Sequence, residues 1–154
     1  MSVDAQIEAL GLELPPPPAS AGVYKPVLVV DNLAYVSGHL PFETDGSLIR
    51  GRVGVELDEE QGYRAARQVG LTILSSLRSH FGSLDPVHQV VKLFGMVSCP
   101  PEFTKQPAII NGCSELFSSV WGDDLGVGTR SAVGVAALPL GIPVEIEGIF
   151  KLRG

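Results

Sequence analysis

Near the C-terminus, two β-rich runs lie close together in sequence, Gly128-Thr129-Arg130-Ser131-Ala132-Val133-Gly134-Val135-Ala136-Ala137-Leu138-Pro139 and Val144-Glu145-Ile146-Glu147-Gly148-Ile149-Phe150-Lys151. Successive side chains of a strand point to opposite faces, so residues two apart share a side. The first run therefore groups Arg130 with Ala132, Gly134 and Ala136, one cation beside nearly bare backbone, which predicts room for a small anion. The second groups Glu145 with Glu147, and Val144, Ile146, Gly148 and Phe150 face the other way. A link of about six residues is too short for a parallel crossover, so if the two runs pair directly they pair antiparallel. That register puts Arg130 near Lys151 and Glu145 near Ala136, on the order of 20 Å from Arg130 at about 3.4 Å per residue. If Arg130 and Glu145 act on one ligand, the expectation is that they come from two subunits.

The rest of the chain supplies the body for those strands. Asp4 to Leu10 predicts a short helix stopped by Gly11, and Pro15-Pro16-Pro17-Pro18 an extended spacer pinning it to the body. Val27–Val30 and Leu33–Gly38 read as a hairpin turned at Asp31-Asn32, residues that tolerate left-handed backbone. Asp58 with Gln61 three residues on is a capping-box pair. Behind it Tyr63, Ala66, Gly70, Ile73, Leu74, Leu77 and Phe81 recur at helical spacing up to Gly82. Val87–Ser98 reads as a buried strand ended by Pro100-Pro101, and a second helix runs from about Pro107 to Trp121 on Ile109, Cys113, Leu116, Phe117 and Val120. The order is ββαβαββ, an α+β chain with two helices on one face of a mixed sheet. The other sheet face, small or apolar at positions such as Ala132, Gly134 and Ala136, then predicts a closed homo-oligomer.

Composition narrows what such a fold does. With 154 residues the chain is one domain by length, taken as an arm over 1–21 and a body over 22–154. No apolar run approaches a membrane span, and Met1-Ser2-Val3-Asp4-Ala5 lacks the basic and apolar parts of a secretory signal. The expectation is a soluble, cytoplasmic protein whose two cysteines, Cys99 and Cys113, are buried free thiols. A net charge of −6 without clustered Lys or Arg disfavours a nucleic-acid partner. No metal, phosphate-loop or nucleophile-elbow motif occurs, so no cofactor is expected.

Gly22-Val23-Tyr24, Tyr35-Val36-Ser37-Gly38-His39-Leu40-Pro41, Val91-Lys92, Asn111, Arg130-Ser131-Ala132-Val133 and Val144-Glu145-Ile146-Glu147-Gly148-Ile149 follow one another in the order of a known signature. With them the chain resembles the reactive-intermediate deaminase (RidA/YjgF) family, also called L-PSP endoribonuclease-like, from Gly22 to the C-terminus. Gly51-Arg52-Val53-Gly54 and Ile110–Leu116 resemble its divergent branch labelled "putative endoribonuclease". The resemblance implies a chorismate-mutase-like fold of the bacillus type, a homotrimeric barrel and clefts between subunits. It implies hydrolysis of enamines and imines of the 2-aminoacrylate type to 2-oxo acids and ammonia. By position, Arg130 would hold the substrate carboxylate and Glu145 would position or activate water. Tyr24, Ser37, Gly38, His39, Asn111 and Ala132 would line the cleft. This sequence departs from many relatives in having Ala132 in place of Cys, Thr129 in place of Ala, and His39 in place of Gln.

Each of these residues also has a plainer reading. Arg130 is a surface or ion-paired arginine on composition alone, and Glu145 an edge-strand charge that blunts aggregation. Tyr24 is a core or interface aromatic with a polar tip, Ser37-Gly38 the bare end of a strand, and His39 a solvated turn residue two positions before proline. Glu147 reads as structural, and His80 and His88 show no ligand spacing. Three functions therefore stand at this point: an imine deaminase, a non-catalytic trimeric binder or sensor of 2-oxo acids, and an endoribonuclease, which the acidic charge disfavours.

Overall fold

A computed structural model describes all residues from Met1 to Gly154. In chain order the elements are α1 (Val3–Ala9), β1 (Val27–Val30), β2 (Leu33–His39), α2 (Glu59–Phe81), β3 (Val87–Ser98), α3 (Gln106–Trp121), a single turn α4 (Asp123–Gly126), β4 (Thr129–Val135), a 3-10 turn (Pro139–Gly141) and β5 (Val144–Leu152). The predicted ββαβαββ order holds, with α1 ahead of it and two short turns added. One five-stranded mixed sheet carries the strands in the order β1-β2-β5-β3-β4.

That order corrects the direct pairing of the two C-terminal runs. β3 lies between them, parallel to β4 and antiparallel to β5. β4 and β5 still run in opposite senses, as their short link requires, but they are not neighbours. The physical reason lies in β3 itself. On either side of an irregularity between Val90 and Lys92 it turns apolar side chains toward the helices, with Val90, Leu93 and Val97 all buried. A central strand buries more of such a surface than an edge strand does.

The helices form a close pair on one face. α2 starts in the predicted capping box: Gln61 N–H donates to Asp58 Oδ1 at 2.8 Å, and Asp58 N–H to Gln61 Oε1 at 2.9 Å. It ends at Gly82, whose φ of 77° is the left-handed conformation that a Cβ disfavours. Gly112 of α3 lies against α2 so closely that a Cβ there would sit 2.0 Å from the Tyr63 carbonyl oxygen. Backbone cannot yield as a flexible side chain can, so the helices would have to part. Gly112→Ala is expected to cost about 1–3 kcal/mol, read as a lower denaturant midpoint at unchanged slope.

The middle of α2 is buried all round, which its periodicity does not show. Gln68, Thr72, Ser75 and Ser76 are buried beside Ile73, Leu74 and Leu77. Their polar atoms are nonetheless satisfied, as burial requires. Gln68 donates to the Phe42 carbonyl, Thr72 to the Gln68 carbonyl and Ser75 to the Pro15 carbonyl. The last bond fixes the proline arm along α2. At the arm's start Val3 and Ile7 enter the core, and Asp4 accepts from Ser83 Oγ and the Leu84 N–H.

Candidate functional site

Register and alternation place Arg130 and Glu145 on opposite faces of the sheet. Arg130 stands beside Leu93, which is buried toward the helices, while Glu145 stands beside Met96 on the uncovered face. Through β3, Arg130 is level with Gly148 and not with Lys151. Three residues along and two strands across place the two backbones roughly 14 Å apart, closer than the ~20 Å that direct pairing predicts. One protomer cannot bring both side chains to one small ligand.

The small residues beside Arg130 do not leave an open floor. Ala132 packs against the core and Gly95, its neighbour on β3, is filled over by Ile110 of α3. A Cβ at Gly134 would lie 2.8 Å from Gln106 Nε2. The bare backbone therefore lets α3 approach the sheet, and the predicted anion space above it is occupied by that helix. Ala136 lies beyond the end of β4.

Arg130 reaches past this packed region to the edge. Its Nη1 donates to Asn111 Oδ1 at 2.7 Å and to Ser114 Oγ at 3.1 Å, and its Nη2 to the Pro107 carbonyl at 3.4 Å. All three acceptors are neutral, and neither of the chain's ion pairs, Arg64–Glu43 and Lys105–Glu59, includes it. A guanidinium has five N–H donors; with three used, the Nε–H and one Nη2 N–H stay free. The guanidinium opens into a hollow of about 270 Å³ lined by Leu93, Asn111, Ser114, Gly126, Val127, Gly128, Thr129 and Arg130, its only charged residue. Sequence reading found Asn111 and missed Ser114, whose i, i+3 spacing from Asn111 on a helix was the available signal.

Glu145 belongs to a second set. Its carboxyl lies over Gly38, where a Cβ would come within 2.9 Å of both Cδ and Oε1, so only glycine lets the carboxyl sit there. Partial burial, and then the neighbouring Glu147, raise its pKa above the ordinary carboxylate range. Ser37 stands beside this pair and donates its hydroxyl to the Lys25 carbonyl at 2.6 Å. Tyr24 is half exposed on the preceding loop, its hydroxyl accepting from the Ala21 N–H.

His39 is not a solvated turn residue. It is 3% exposed and points into the helix layer, with Nδ1 2.6 Å from the Ser37 carbonyl and Nε2 2.7 Å from Ser76 Oγ. A carbonyl only accepts, so Nδ1 carries the proton and the neutral ring accepts from Ser76. The reason is a bulge: β2 slips register against β5 between Val36 and His39, turning the imidazole inward. Burial lowers its pKa below the ordinary 6.5, against a smaller opposing effect of the Ser37 carbonyl. The unfolded chain thus takes up this proton first as pH falls. Stability from neutral His39 is complete above about pH 6.5 and declines below it until the folded ring also titrates. Melting temperatures of wild type and His39→Gln between about pH 5 and 8 are expected to converge on the acid side.

The uncovered sheet face is apolar, as predicted, through different residues from those named for it. Ala132 and Gly134 face the helices, and the open side carries Leu28, Tyr35, Phe94, Met96, Val133 and Ile149. A depression of about 540 Å³ there is lined by Leu28, Tyr35, Phe94 and Ile149 together with Lys25, Ser37, Lys92 and Glu147. Cys99 and Cys113 are both buried and unpaired. No helix is long and apolar enough to cross a membrane.

Fold and site together define an α+β protein with helices on one sheet face, an unpaired cation at the sheet edge and a half-buried acid on the other face. The sequence pattern of the family described as "YjgF/chorismate mutase-like, putative endoribonuclease" matches residues 4–142, and the chain belongs to this YjgF/RidA-like family. Protein TCP17 of Trypanosoma cruzi is 38% identical over 151 residues, covering 98% of this chain and 94% of its own. The crystal structure of Agrobacterium tumefaciens protein Atu1372, described as of unknown function, superposes with a TM-score of 0.86 at 36% identity, covering 97% of this chain and 91% of that one. RidA from an Antarctic Psychrobacter superposes with a TM-score of 0.62 at 30% identity, over 88% of this chain and 94% of that one.

Proposed function

We propose that the protein hydrolyses reactive 2-imino acids, and the enamines in equilibrium with them, in clefts between subunits of a homotrimer. The observation that carries this reading is the free edge of the Arg130 guanidinium. Three neutral acceptors hold it in place without cancelling its charge, and two N–H donors are left over. A planar guanidinium grips a carboxylate through two parallel hydrogen bonds, which lysine cannot match.

The chemistry asks little more. Water adds to the imine carbon and gives a carbinolamine; the nitrogen takes up a proton and leaves as ammonia, and a 2-oxo acid remains. Glu145 serves as the base that takes the proton from water and returns it to the departing nitrogen, with its raised pKa bringing it closer to the working pH. Because Arg130 and Glu145 lie on opposite faces of one sheet, the cleft pairs Arg130 of one subunit with Glu145 of the next. The apolar open face is the surface such an assembly would cover. Tyr24, Ser37 and Gly38 accompany Glu145, and Asn111 accompanies Arg130.

The test couples the purified protein to a pyridoxal-phosphate dehydratase that releases 2-aminoacrylate and follows pyruvate. Acceleration over the uncatalysed rate is the expected result. Titration with 2-oxobutyrate that shows binding with no acceleration would replace this reading with the non-catalytic binder. RNA cleavage that Arg130→Ala abolishes would replace it with the nuclease.

A further inference from the structure

We propose that Ser114 sets the substrate range of this site, and that the hollow beside Arg130 receives an aliphatic side chain larger than methyl. This rests on the carboxylate-binding role of Arg130 and names the substrate class for it. Ser114 does two things at once: its Oγ accepts from Arg130 Nη1, and its short side chain leaves the space next to the guanidinium unfilled.

The other walls are fixed. A Cβ at Gly126 would lie 2.3 Å from the Phe117 carbonyl oxygen, and one at Gly128 would lie 2.7 Å from the carbonyl oxygens of Val90 and Val91. The loop between α3 and β4 is thus pressed against α3 and β3 and cannot sink further to close the space. Thr129 Oγ1 donates to the Val91 carbonyl, which ties down the loop's far end. Between these anchors Leu93, Val127 and the glycine backbone offer carbon to a ligand, with no charge besides Arg130.

Size decides the class. At about 30 Å³ per water, a hollow of about 270 Å³ holds the equivalent of roughly nine waters. A three-carbon 2-imino acid has only six heavy atoms, so with its carboxylate on Arg130 it leaves part of the space empty. Five- and six-carbon aliphatic 2-imino acids, branched ones included, fill it. Each methylene that reaches an apolar wall adds about 10-fold or more in specificity.

The experiment compares imines made in situ by an L-amino-acid oxidase with O₂ from alanine, 2-aminobutyrate, valine and leucine. It measures the acceleration of hydrolysis and, by calorimetry, the affinity for each matching 2-oxo acid. Wild type is expected to prefer the leucine- to the alanine-derived compound. Ser114→Leu, which fills the hollow from α3, should lower that preference at least tenfold. Val127→Trp, which fills it from the exposed loop, should do the same. Ser114→Ala loses the hydroxyl and keeps the space, so its preference should stay within about twofold of wild type while every substrate weakens together. Equal losses on all chain lengths in Ser114→Leu and Ser114→Ala, or an unchanged preference in both filled variants, overturn the proposal. If no imine is accelerated at all, the deaminase reading fails separately, and the order of 2-oxo acid affinities still decides the role of Ser114.

Discussion

Glu145→Gln is expected to lower kcat for imine hydrolysis by about 10²–10⁴-fold, the usual worth of a positioned general base. Affinity for a 2-oxo acid should change by only a few-fold, because the carboxylate grip is elsewhere. The pH dependence gives the sharper signature. Burial and Glu147 hold the Glu145 carboxyl protonated to higher pH than an ordinary glutamate, so activity should fall as pH drops through that raised value. In Glu145→Gln the acid limb should disappear. In Glu147→Gln one of the two causes of the shift is gone, and the limb should move to lower pH. An acid limb that persists unchanged in Glu145→Gln would assign the base to another residue.

Arg130→Ala should cost about 10–150-fold in kcat/KM, the equivalent of losing charge-assisted hydrogen bonds worth about 1.5–3 kcal/mol. The same loss should be seen in 2-oxobutyrate affinity by calorimetry. Arg130→Lys should recover little, because an ammonium presents no two-pronged edge. Wild-type turnover in Arg130→Ala would remove the carboxylate clamp. The two variants together also test where the cleft lies. Arg130→Ala and Glu145→Gln chains, each impaired alone, are expected to regain activity when co-assembled. With random mixing of equal amounts, about a quarter of the clefts would pair an intact arginine with an intact glutamate from its neighbour. Were both residues supplied by one chain, mixing would restore nothing.

Much of the scaffold was legible before any coordinates. The capping box at Asp58 and the left-handed stop at Gly82 are local devices, written in the residues that make the bonds, so α2 begins and ends where they say. β3 was equally plain, since a mostly apolar twelve-residue stretch followed by Pro100-Pro101 has few other fates. The buried polar residues of α2 were less so. Ser75 and Ser76 lie off the helical stripe that spacing picks out, and they are bonded by the proline arm and His39, which are distant in sequence.

The sequence by itself determined which groups carry charge and which residues of a regular strand share a face, because alternation at a period of two is a covalent property of extended backbone. It also argued for opposite directions in the two C-terminal runs, since their link is too short for a parallel crossover, although the direct pairing on which that argument was built does not occur. Tertiary structure alone decided that β3 comes between them, that α3 fills the space over Ala132 and Gly134, and that the bulge turns His39 inward. Those outcomes depend on which long-range packing buries the most apolar surface, a sum over the whole core that no local window contains.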